Sequence, residues 1–143
     1  MQPILHSAAL SLVVVFLALA AIHVYWALGG RWGVSAKLPE VGGTRAFHPG
    51  RATFAATAML FGAAALIVAL RAGLVRLAWV PRLVPEVGIW VVTVALLLRA
   101  LGDFRLVGLF KRVRHTGYAR RDNRYFTPLS IALALGCALV GLG

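Results

Sequence analysis

Acidic residues are scarce in this chain: four Asp and Glu among 143 residues, against 15 Lys and Arg. Cysteine is scarcer still. The single Cys137 lies in an apolar run, which excludes a disulfide framework and a Cys-based metal site. The four histidines, His6, His23, His48 and His115, have no zinc-type spacing. No Gly-Lys-Ser/Thr follows Gly29-Gly30-Arg31-Trp32-Gly33, so that segment is not a phosphate-cradling loop. Ser7 and Ser11 have no base at helical spacing, which leaves a serine nucleophile without support. No cofactor is expected from these residues.

Charge as a whole is thin, 13% of residues against 61% hydrophobic. Soluble domains are roughly a quarter charged, so a soluble reading does not fit. A net charge of +11 would suggest nucleic acid in a soluble protein. Here the cations sit between long apolar runs, which points to anionic membrane lipids and topology signals, and no nucleic-acid partner.

Four apolar runs are long enough to consider as membrane helices: about 4–28, 52–70, 86–113 and 127–142. The first carries no Lys, Arg, Asp or Glu, and Gly29-Gly30 ends it. No Lys or Arg precedes it and no small-residue cleavage site follows, so a retained helix is expected. The second carries a small-residue stripe, Ala55, Ala58, Gly62, Ala65 and Ala69, that lets another helix come close. Internal packing is the first use of such a stripe and a homo-oligomer contact the second.

Pro85 and Glu86 suit the start of the third run. From Leu101 to Val113 the pattern becomes amphipathic and basic, fitting an interfacial segment or an extension of the third helix. Thr127 and Pro128 fit an N-cap and first helical residue of the fourth run. The expected fold is a single all-α membrane domain, a four-transmembrane-helix bundle with an amphipathic basic segment between helices three and four. Lys and Arg number four in the first connection, three in the second and seven between 105 and 124. Positive charge stays cytoplasmic, so both termini are expected on the other side of the plasma membrane.

Two clusters could carry chemistry. His23, Tyr25 and Trp26 fall in the last turns of helix one, just before Arg31. They read either as an interfacial aromatic belt or as the wall of a pocket with a titratable group. Arg99 and Asp103 stand at i, i+4 near the end of helix three, which suits a structural pair or the lining of a polar cavity. Helices one and three run the same way, which brings His23 and Asp103 to one membrane side. The candidate acid–base pair is therefore His23 and Asp103. Candidate ligand-binding residues are Tyr25, Trp26, Arg31, Trp90, Arg99, Arg105, Arg112, Arg120 and Arg124. Asp122 is read as a partner of Arg121 or Arg124 within the basic turn.

The segments His23-x-Tyr25-Trp26-Ala27-x-Gly29-Gly30, Arg99-Ala100-x-Gly102-Asp103-Phe104-Arg105 with Val107-Gly108-x-Phe110-Lys111-Arg112, and Ala119-Arg120-x-Asp122-x-Arg124 with Pro128-Leu129 resemble a family of small bacterial membrane proteins, domain of unknown function 3995. The resemblance covers nearly the whole chain, and the Gly-Asp-Phe-Arg block is its most specific part. It implies a four-helix integral membrane protein and carries no activity.

Three functions remain open on the residues alone. One is a binding or accessory module whose pocket and basic lip hold an anionic amphiphile or steady a partner membrane protein. A second is a small intramembrane enzyme with His23 and Asp103 as acid and base on a hydrophobic substrate. The third is a small multidrug-type exporter, which typically carries a carboxylate in helix one; this chain has only His23 there.

Overall fold

A computed structural model describes residues 2–33, 40–41, 44–45, 50–102, 109 and 120–143. Its long elements are α1 (Gln2–Ala27), α2 (Arg51–Arg71), α3 (Leu83–Leu101) and α4 (Thr127–Leu142), the last preceded by a π-helical turn over Asp122–Phe126. Between α1 and α2, two short strands, β1 (Glu40–Val41) and β2 (Thr44–Arg45), pair antiparallel with Glu40 opposite Arg45.

Each helix end has a local cause. After α1, Gly29 takes φ 102°, and the Gly30 N–H reaches back to the Tyr25 carbonyl at 2.9 Å. That left-handed residue with a six-to-one bond closes the helix and turns the chain. The same device ends α2 at Gly73, φ 70°, with the Leu74 N–H bonded to the Ala69 carbonyl at 2.9 Å. Pro85 and Glu86 occupy the first turn of α3, where proline's missing donor costs nothing and an acid meets the helix dipole.

Two sequence expectations change here. Helix three stops at Leu101, because Gly102 adopts φ 88° and leaves helical geometry. The Leu109 N–H then donates to the Ala100 carbonyl at 2.9 Å, so the chain has folded back rather than run on as one helix to 113. The rest of the expected amphipathic segment, 103–108 and 110–119, lies outside the described residues. Helix four keeps its expected α-helical bounds, Thr127–Leu142, but its span, expected to be short, is lengthened by the π-helical turn before it. Among the described residues helical backbone is present from Arg120, and the apolar helix Asp122–Leu142 has 21 residues, enough to cross the ~30 Å hydrocarbon layer.

The helices run up and down in turn. α1 lies along α2 and α3 along α4, while α2–α3 and α1–α4 contacts close the ring. One side chain from each helix meets at the centre, Phe16, Val68, Ile89 and Cys137, all fully buried. Ala58, Ala65 and Ala69 of the small-residue stripe are buried within this chain, whereas Ala55 is exposed. Leu17, Leu60, Val91 and Leu135 face outward from four different helices, each more than half exposed. Apolar surface of that extent is stable only in lipid. All four helices are long and apolar enough to span a membrane, and the protein is a membrane helical bundle.

Candidate functional site

Up-and-down topology puts the end of α1, the start of α2, the end of α3 and the start of α4 at one end of the bundle. His23, one turn before the end of α1, is only 6% exposed. Its Nδ1 donates to the Leu19 carbonyl at 2.7 Å. A carbonyl can only accept, so Nδ1 carries the proton and the ring orientation is set by its own helix. The ring packs edge-on against Trp26 at 5.0 Å and against Phe61 of α2 at 5.2 Å. Trp26 is itself buried, packs on Phe54 at 5.6 Å, and donates its Nε1 to the Trp32 carbonyl at 2.7 Å. The turn after α1 is thereby pinned to the helix it follows.

On the other side of the bundle, Arg99 of α3 donates through Nη2 to Oδ1 of Asp122 at 2.8 Å. Asp122 is completely buried, and its Oδ2 accepts a hydrogen bond from the Thr127 hydroxyl at 3.2 Å. A buried carboxylate is tolerable only with such partners. Arg99 Nη1 is buried with no hydrogen-bond partner among the described residues.

Between these groups is a cavity of about 320 Å³ lined by residues of all four helices. Its polar lining is His23, Thr57, Arg99 and Ser130; Leu19, Phe61, Leu96 and Leu133 supply much of the apolar remainder. Ligand pockets begin at about 300 Å³. The two hydroxyls have their protons placed: Thr57 donates to the Thr53 carbonyl at 2.9 Å and Ser130 to the Phe126 carbonyl at 2.8 Å.

His23 and Arg99 thus line one cavity, with the Trp26 ring edge-on to His23. The other candidates scatter. Tyr25 is partly exposed, its ring lying across Gly30 so closely that a Cβ there would sit 2.3 Å from it. Arg31 and Arg120 are exposed, and so is Arg124, whose guanidinium lies 5.5 Å from the centre of the Tyr125 ring. Trp90 belongs to the opposite end, beside Gly141 near the end of α4. Asp103, Arg105 and Arg112 lie outside the described residues.

Arg99 has a partner that was not expected, Asp122, 23 residues away. The expected i, i+4 neighbour, Asp103, lies outside the described residues, and α3 ends before it, at Leu101. Asp122, read from the sequence as a partner of Arg121 or Arg124, faces inward and binds Arg99 and Thr127, while Arg121 and Arg124 are exposed. Thr57, Phe61, Ser130 and Leu133 were not singled out by the sequence. They are ordinary residues of apolar helices, and only the packing assigns them to the cavity. Among the described residues, no three His, Cys, Asp or Glu side chains are grouped to hold a metal ion.

A family model described as "Protein of unknown function (DUF3995)" matches residues 16–137, which includes every described residue of the cavity. No curated protein and no solved structure gives a match.

Proposed function

The chain belongs to the DUF3995 family of proteins of unknown function, and from the half-open cavity between its four helices we propose that it binds a single-chain amphiphile within the membrane. One observation carries this reading: a cavity of about 320 Å³ with a polar end at His23 and Arg99 and apolar walls of Leu, Phe and side-chain methylenes. At ~30 Å³ per water-sized group, the space holds about ten heavy atoms. That suits one polar head with a short length of chain, and is too small for a two-tailed phospholipid. The remaining chain would leave between helices into lipid, where no aqueous cost attaches to it.

The basic residues have a separate part in the proposal. Arg51, Arg120, Arg121 and Arg124 are exposed at the cavity end. They are placed to meet anionic headgroups of surrounding lipid, and the charge bias makes this the cytoplasmic end. An acid–base reaction between His23 and Asp103 gains no support from the described residues. The buried carboxylate at this end, Asp122, is committed to Arg99 and Thr127.

Native mass spectrometry of the protein released from membranes into mild detergent tests the binding reading. The wild-type protein should retain one copy of an apolar amphiphile. Thr57→Phe, which fills the cavity from α2, should lose it while keeping helical content. A wild-type protein that carries nothing, or a filled variant that retains the same adduct, would show the space to be a water-filled packing gap.

A further inference from the structure

The hydrogen-bond inventory of the cavity says what kind of head it accepts. A hydroxyl has one proton and two lone pairs. Thr57 and Ser130 both give their proton to carbonyls of their own helix, Thr53 at 2.9 Å and Phe126 at 2.8 Å. What each can still offer the cavity is lone pairs. Arg99 is the opposite case, a donor with no lone pair, and its charge is matched by Asp122. Among the described residues the lining therefore has acceptors on α2 and α4 and a donor on α3.

That pattern discriminates between heads. A carboxylate or phosphate dianion has no proton to give, so it would set its lone pairs against those of Thr57 and Ser130. It would also meet an arginine whose charge is already balanced. An ammonium group has no lone pair and would face Arg99. A neutral hydroxyl satisfies both sides, donating its proton to a lone pair and accepting from the guanidinium. In a water-poor interior an unmade hydrogen bond is costly, so this match decides the preference.

We propose that the ligand of this cavity is a neutral long-chain alcohol, its hydroxyl giving its one proton to Thr57 or Ser130 and accepting from Arg99. This rests on the binding reading above and goes further by naming the head. Anionic amphiphiles are then lipids of the rim and not occupants of the bundle.

The test is competition for a photoreactive probe, a decanol analogue with an aliphatic diazirine in mid-chain. The protein in detergent is irradiated and labelled peptides are identified by mass spectrometry. Competitors are 1-decanol, decyl methyl ether and decanoate at pH 8, compared at equal mole fraction in the micelle. The ether keeps the oxygen and loses the proton; decanoate keeps the chain and adds charge. Labelling should fall on the α3 and α4 segments around Leu96 and Leu133, and 1-decanol should compete at least tenfold better than either alternative. In the Thr57→Val, Ser130→Ala double variant, alcohol and ether should compete equally. If the ether matches the alcohol in the wild-type protein, if the double variant keeps the preference, or if decanoate competes best, the hydroxyl assignment is wrong while amphiphile binding stands. If no lining peptide is labelled, both fall.

Discussion

Arg99 and Asp122 are the residues on which the cavity end depends most directly. The carboxylate is fully buried and both its oxygens are bound, one by Arg99 and one by Thr127. Removing one partner of a buried pair leaves an uncompensated charge, which typically costs 3–5 kcal/mol in soluble proteins. Arg99→Leu, which strands the buried carboxylate, should therefore lower the melting temperature in detergent sharply, and Asp122→Asn should cost less because the Arg99 side chain is 36% exposed. The double variant Asp122→Leu, Arg99→Leu should recover much of that loss, since it removes both charges. A single variant as stable as wild type would show that the pair contributes little. At this scale the sequence was half legible. His23 and Arg99 stood out because ionisable groups are rare in apolar helices. Asp122 did not, because it lies in a run of exposed arginines and its partner is 23 residues away. A residue pattern read along one helix has no way to register a contact made across two.

Among the elements, the spans were legible and their ends less so. Hydropathy places a helix wherever water cannot satisfy the backbone, so four long apolar runs became four helices. The end of α3 turned on a single backbone angle at Gly102, φ 88°, and the start of α4 on a π-helical turn. Neither has a hydropathy signature. Glycines on these helices also differ in what surrounds them. A Cβ at Gly136 of α4 would come within 2.9 Å of Leu12 Cδ2 on α1, whereas at Gly62 of α2 it would meet nothing within 4 Å. Gly62→Ala should leave thermal stability unchanged or raise it by up to about 1 kcal/mol, through helix propensity alone. Gly136→Leu should lower it by about 1–3 kcal/mol, the usual cost of overpacking. Melting curves of the two variants in one detergent compare them directly. A destabilised Gly62→Ala would mean that this face of α2 is covered in the membrane, as a homo-oligomer contact through the small-residue stripe would require.

At the scale of the whole molecule, charge is divided unequally between the two ends. In the helices and the turns that adjoin them, the cavity end carries Arg31, Arg51, Arg99, Arg120, Arg121 and Arg124 with Asp122. The other carries Arg71, Arg76 and Arg82 with Glu86. Arg71 is partly withdrawn from that balance, because it reaches the Gly141 carbonyl at the end of α4 at 2.8 Å. By the positive-inside rule we propose that the cavity end faces the cytoplasm. Trp32 and Trp79 are 76% and 78% exposed, one at each end, and serve as reporters. In a Cys137→Ser background, a membrane-impermeant maleimide added to intact cells should label Trp79→Cys and leave Trp32→Cys unlabelled until the membrane is opened. The reverse result would invert the bundle and move the cavity mouth to the outer face.

The π-helical turn has a bearing on how this protein tolerates change. It holds a wider ring of backbone than the α-helix that follows, as though one residue had been slipped into the coil. Deleting a single position there, Tyr125 for instance, would let the coil tighten. Everything downstream would swing by ~100° about its axis relative to Asp122. Ser130 and Leu133 would then look elsewhere while Asp122 stayed on Arg99. The last membrane segment is thus phased by chain length over five residues, and a shift of reading within them would shut the chamber without altering any residue that lines it.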